Sequence, residues 1–384
     1  MKSRILFVDH VGVLGGAELA LIDVAKAYRE TSRFLLFADG PFRQRLTNEG
    51  ITVEIIEGGR ALHAVRRETR CPGLAAAWRT VSLAWQMARI ARDYDVLHAN
   101  SQKAFVVACL ASLIARKPVI WDLNDLLTPE HFSLTNILLD VVLANHIAVL
   151  VIANSHASAA SLMARGGQGD KIRVVYNGLD PAPFDRITDQ DIAEVKQELG
   201  FNGAPMAGLF GRFAEWKGQH VALEALGQLP HLHLLLVGDA LFGEQAYANK
   251  LRAQAERLGL SDRVHFLGFR SDIPRLMRMV HVVLHTSTAA EPFGRVIVEG
   301  MLARRPVIAT RAGGVEEIVE HDVSGVLVTP GKPAELAAAI RGLLDDPFRA
   351  GRIADAGRSV AESRFTVDAM VTSMSEHMEQ VARA

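Results

Sequence analysis

Cysteine is nearly absent: Cys71 and Cys109 are the two in 384 residues. Two cysteines build no disulfide framework and fit a reducing compartment, so the expected location is the cytoplasm. Neither lies in a C-x-x-C pair, and no G-x-S-x-G nucleophile elbow occurs. Charge of one sign is also lacking, since the formal net charge is −1, and nothing global points to nucleic acid. Long apolar runs are missing too. The longest, Ile137 to Ala153, is interrupted by Asp140, Asn145 and His146 and reads as a buried helix followed by a strand, not a membrane span. Near the start, Ile5-Leu6-Phe7-Val8 is too short an apolar run for a signal peptide.

What is present is core-forming material. Hydrophobic residues make up 49% of a chain too long for one ordinary core, so two domains are expected. Short β runs at 4–9, 34–37, 52–56, 96–99, 119–121, 149–153 and 172–175 alternate with helical patterns. A second series follows at 206–210, 232–237, 264–267, 282–285, 307–309 and 326–328. Alternation of this kind means parallel sheets with helices on both faces, two similar α/β halves. Turn formers cluster at Tyr176-Asn177-Gly178-Leu179-Asp180-Pro181-Ala182-Pro183 and mark the hinge. The expected division is 1–180, 181–365 and a closing helix over 366–384.

Ligands of such sheets sit beyond the carboxyl ends of the strands. In the first half those positions are Gly15, Gly16, His98, Asn100, Asp122, Asn124, Asp125, Asn154 and Ser155. The Gly12, Gly15 and Gly16 loop does not spell G-x-G-x-x-G. It reads either as a tight turn or as backbone that approaches a phosphate or sugar. Glu18 faces the ligand or simply favours the helix N-terminus. In the second half, Arg212 and Lys217 follow a strand, two cations suited to a diphosphate. Glu291-Pro292-Phe293-Gly294-Arg295-Val296-Ile297-Val298-Glu299 places two carboxylates around a helix start, where free N–H groups attract anions. Carboxylates beside an anion site suit a ligand with both phosphate and hydroxyls, such as a sugar nucleotide; a capped core helix with two solvated glutamates is the alternative.

Other patterns are weaker. Asp93-Tyr94-Asp95 has the D-x-D form of a metal-using site, but it precedes a strand and reads as a turn cap. His281 and His285 are four apart on a strand, roughly 13 Å, too far for one metal. Residues 60–92 hold seven arginines (Arg60, Arg66, Arg67, Arg70, Arg79, Arg89, Arg92) against Glu68, with Trp78 and Trp85 on one helical face. Two readings stay open there: an anionic membrane contact, or an ordinary amphipathic helix with solvated arginines.

Taken together, the motifs resemble glycosyltransferase family 4, of GT-B fold. The resemblance is carried by Gly15-Gly16-Ala17-Glu18, Asp95-Val96-Leu97-His98, Asn177-Gly178-Leu179-Asp180, Gly211-Arg212 with Lys217-Gly218, Val237-Gly238-Asp239, Val264-His265-Phe266-Leu267-Gly268, Glu291 to Glu299, Pro306 to Thr310 and Gly313-Gly314. It implies two Rossmann-like domains facing across a cleft, the last helix returning to the first domain. It also implies a nucleoside diphosphate sugar held by the C-terminal domain and an acceptor held by the N-terminal one. Glu299 would hold the ribose, Glu291 the moving sugar with the Phe293, Gly294 and Arg295 backbone beside it, and Arg212 and Lys217 the diphosphate. The backbone at Phe269 and Arg270 would meet the base, and the Gly15-Gly16 loop would close over the phosphates. Relatives retain anomeric configuration and use neither a catalytic metal nor a cofactor. Many carry a histidine where this chain has Asn124, which cannot take a proton, so Asp122, Asp125 or the leaving phosphate would serve. The acceptor side would comprise Glu18, His98 and Asp122.

The expected activity is retaining, metal-independent transfer of a hexose-type sugar to an acceptor hydroxyl in polysaccharide or glycolipid assembly. An anionic membrane surface at residues 60–92 would be a further partner. The alternatives are a sugar-nucleotide epimerase or hydrolase, or a non-catalytic sugar-nucleotide-binding protein.

Overall fold

A computed structural model describes residues 2–56, 58, 74–201, 203–240 and 243–384. Arg60, Arg66, Arg67 and Arg70 therefore lie outside the described residues. The chain divides into two compact units, 1–178 with 367–384, and 179–366.

Unit 1 holds a parallel sheet of seven strands in the order β3-β2-β1-β4-β5-β6-β7. These are β1 (Ile5–Asp9), β2 (Ser32–Leu36), β3 (Val53–Ile55), β4 (Val96–Ala99), β5 (Val119–Leu123), β6 (Leu150–Ala153) and β7 (Ile172–Val174). The central strands are apolar almost without alternation because both faces are covered. On one face, the helices Leu74–Ala91, Gln102–Ala115 and Leu134–His146 pack Met87, Phe105 and Ile137 against Leu97, Trp121 and Val151. On the other, the Gly16–Lys26 helix and the terminal Val367–Arg383 helix bring Leu21, Met374 and Met378 onto Ile5, Phe7 and Ile120. Glu379 of that last helix accepts hydrogen bonds from the Ser3 backbone N–H (2.9 Å) and hydroxyl (2.8 Å).

The Ile137–Ala153 stretch departs from its expected burial. It does fold as a helix followed by β6, but Leu138, Leu139 and Val142 of the helix are exposed. Only the side with Ile137, Val141 and Ala144 meets the core. An apolar run reveals helix length, but not which part of its surface is covered.

Unit 2 repeats the plan with six strands, order β10-β9-β8-β11-β12-β13. They are β8 (Met206–Phe210), β9 (His233–Val237), β10 (Val264–Gly268), β11 (Val282–His285), β12 (Val307–Thr310) and β13 (Val326–Val328). All pairings are parallel, so the loops leaving β8, β11 and β12 emerge at one edge. That edge positions the site.

Candidate active site

In unit 2 the chain leaves β11 at His285, crosses a loop through Glu291 and enters the Arg295–Leu302 helix at Gly294. Gly294 has φ +104°, a left-handed conformation that glycine adopts without strain. Hydrogen bonds fasten the loop to its neighbours. The Thr288 N–H donates to Trp216 O (2.7 Å), the Thr286 hydroxyl to Lys217 O (2.9 Å) and the Thr310 hydroxyl to Ser287 O (2.8 Å). Gly313 and Gly314 make the close approach possible: a Cβ on Gly313 would stand 2.4 Å from Glu291 O, and one on Gly314 2.2 Å from Pro292 O.

This fastening brings Lys217 and Glu291 together from positions 74 residues apart. The ammonium donates to both carboxylate oxygens at 2.9 Å. Glu291 Oε2 also accepts from the Ser287 hydroxyl (3.0 Å) and meets His285 Nε2 at 3.2 Å. Burial by itself would push the Glu291 carboxyl up. The Lys217 charge and the His285 hydrogen bond overcome it and hold the group well below the usual carboxylate range. Trp216 lies beneath both cations, its ring centroid 4.2 Å from Lys217 Nζ and 5.8 Å from the Arg212 guanidinium. Arg212 stands 3.7 Å from Glu244. Glu299, one helical turn beyond Arg295, is half-buried; burial raises its carboxyl and Arg295 partly offsets that. Phe269 is exposed. Arg270 binds Asp272 through two hydrogen bonds (2.8 and 2.7 Å) and Glu198 at 2.8 Å, which fixes the turn carrying Phe269.

Unit 1 has its own polar edge at the ends of β1, β4, β5 and β6. Asn100 donates to Asp9 (2.6 Å), Asn124 to Asn100 (3.2 Å), Asn154 to Asn124 (3.3 Å) and Ser158 to Asn154 (2.8 Å). Asn124 is thus one member of an amide chain. Ser101 joins Asp9 at 3.0 Å and His10 at 2.7 Å. Glu18 accepts from the Gly15 N–H at 2.8 Å, holding the glycine loop. Burial, then repulsion from Asp9, raises its carboxyl to about 8, with Asp125 adding to the repulsion. His98 is fully buried, 3.4 Å from Asp122 and packed on the Phe7 ring. Asp122 lies within β5, not in the loop after it.

Sequence reading missed His285, Ser287, Thr310, Trp216 and Glu244 as site residues. A signal was available for the first three, since His285 and Thr310 end β11 and β12 and Ser287 lies just past β11; no sequence cue tied Glu244 to Arg212. Among the described residues, no three His, Cys, Asp or Glu side chains gather in a way that would hold a metal ion.

Residues 14–183 match the family model "Glycosyltransferase Family 4" and residues 191–360 the model "Glycosyl transferases group 1". The crystal structure of Anabaena Alr3699/HepE in complex with UDP and glucose is similar at TM-score 0.90 and 44% identity, over 98% of this chain and 99% of that one. The same protein in complex with UDP-glucose also matches at TM-score 0.90. The lipopolysaccharide core biosynthesis glycosyltransferase LpsD of Rhizobium meliloti (strain 1021) is 28% identical over 94% of each chain. Spore coat protein SA of Bacillus subtilis (strain 168) is 31% identical over 51% of this chain, which spans about half that relative's length (55%).

Proposed function

The chain belongs to the family 4, group 1 glycosyltransferases of two-sheet GT-B fold, and from that premise we propose that it transfers glucose from UDP-glucose to an acceptor hydroxyl with retention and without a catalytic metal. The observation that carries this reading is the Lys217–Glu291 pair at the carboxyl edge of unit 2, beside the helix start at Gly294. It puts a cation and a hydrogen-bond-accepting carboxylate in one small region, as a diphosphate joined to a sugar requires.

In the reaction, the bond between the sugar's anomeric carbon and the diphosphate breaks as the bond to the acceptor oxygen forms. The leaving diphosphate takes the acceptor's proton, since Asn124 cannot. Arg212 and Lys217 stabilise the charge that grows on the phosphate. Glu291 accepts hydrogen bonds from the moving sugar, Glu299 from the ribose, and the backbone at Phe269 and Arg270 meets the uracil. Unit 1 takes the acceptor, part of a polysaccharide or glycolipid, at the cytoplasmic face of a membrane.

Thermal shift with UDP, GDP and their glucose conjugates tests the donor. UDP-glucose at about a hundred times its dissociation constant should add roughly 2.7 kcal/mol of stability. Preference for a guanine nucleotide would overturn the donor assignment, and release of free glucose at the full rate without acceptor would favour a hydrolase.

A further inference from the structure

Three consecutive helices cover one face of the unit 1 sheet, and the outside of that layer is apolar. On the Leu74–Ala91 helix, Trp78, Val81 and Trp85 form an outward stripe, the two tryptophans 74% and 55% exposed. On Leu134–His146 the stripe is Leu134, Leu138 and Val142, with Leu139 beside it; the first two are each 63% exposed. Leu113 and Ile114 are exposed on the intervening Gln102–Ala115 helix, which packs against both. The inner sides of all three helices share one core, so these stripes look away from the sheet together. Scattered exposed leucines are ordinary, but nine large apolar side chains on one layer mark a contact surface.

The charges select the occupant. The Leu74–Ala91 helix contains no acid, and the single acid of Leu134–His146, Asp140, is fully buried. Arg89 lies over the Trp85 ring at 5.2 Å; Arg79 is exposed on the same helix and Arg92 in the turn just after it. A symmetric second copy would bring two basic faces together with no exposed acid on either of these helices to offset the charge. Anionic headgroups over acyl chains complement both features, and tryptophan favours that boundary. Among the described residues no helix is long and apolar enough to cross a membrane, so the contact lies along the surface.

We propose that this three-helix face rests on an anionic lipid surface, with Trp78, Trp85, Leu134 and Leu138 entering the headgroup–acyl boundary and Arg79, Arg89 and Arg92 meeting lipid phosphates. The proposal deepens the membrane setting given above, enlarging it beyond residues 60–92, and is independent of the sugar chemistry. The test is flotation of the full chain with vesicles of phosphatidylcholine plus phosphatidylglycerol, against phosphatidylcholine alone. The protein should float with the anionic vesicles only. Arg89→Glu with Arg92→Glu should weaken that by roughly fivefold or more per site. Leu134→Ser with Leu138→Ser should weaken it while the UDP thermal shift stays as in the parent, showing an intact fold. No flotation of the parent, equal flotation of all variants, or a dimer in light scattering that the leucine variant dissolves would each overturn the proposal. Flotation is read without transfer, so failure of the donor assignment leaves it standing.

Discussion

Lys217 and Glu291 each hold the other's charge in a nearly buried place, where removing one partner costs more than the pair contributes. Lys217→Ala should therefore destabilise the protein by about 3 kcal/mol in urea unfolding and also cut turnover. Lys217→Ala combined with Glu291→Ala should cost clearly less than the sum of the single changes. Because the folded Glu291 carboxyl lies below its ordinary value, its contribution is present above that value and fades as pH falls through the folded one. Glu18 has the opposite sign. Its carboxyl rises from 4.5 to about 8, so the folded state holds a proton that the unfolded state has lost, and stability declines as pH rises across that window. Glu18→Gln should match the parent's melting temperature near the bottom of the window and exceed it above the top. A constant difference across the range would contradict this. Glu299→Ala should weaken UDP-glucose binding by about 1.5–3 kcal/mol, read by calorimetry, the usual loss for one hydrogen bond involving a charged group.

Among the elements, the loop through Glu291 depends on glycines that the strands themselves do not need. Gly313 has φ +67° and sits against Glu291 O, so Gly313→Ala adds both a left-handed penalty and a backbone clash. It should lower stability by at least about 1–2 kcal/mol and weaken donor affinity as well. An alanine variant with parent-like affinity would show that the loop shifts freely. Strand positions were readable because a parallel sheet covered on both faces demands continuous apolar runs. The loops were not, because their conformation follows from contacts such as Thr310 to Ser287, which join separate segments. His285 illustrates the point: as a strand residue it looked inert, yet its strand-end position aims it at Glu291.

At the scale of the whole molecule, the Val367–Arg383 helix belongs to the unit the chain left at Gly178. Its Met370, Met374 and Met378 close the core under β1 and β4, and Glu379 binds Ser3. Deleting 367–384 should expose that core and lower the first thermal transition, while UDP binding by unit 2 persists. Met378→Ala alone should cost about 2–5 kcal/mol in chemical unfolding. An unchanged melting profile after the deletion would show that the helix is dispensable.

The sequence by itself determined the two α/β halves, the strand positions and the segments that carry Arg212, Lys217 and Glu291 to Glu299. Hydrophobic periodicity and turn chemistry are local, and both survive without any knowledge of neighbours. Only the tertiary structure decided that Lys217 and Glu291 share one hydrogen-bonded pair, that His98 is sealed in the core, and that the Leu134–His146 helix turns half its apolar surface outward. Charge pairing and burial depend on which segments meet, and proximity between residues far apart in the chain exists only once the sheets have formed.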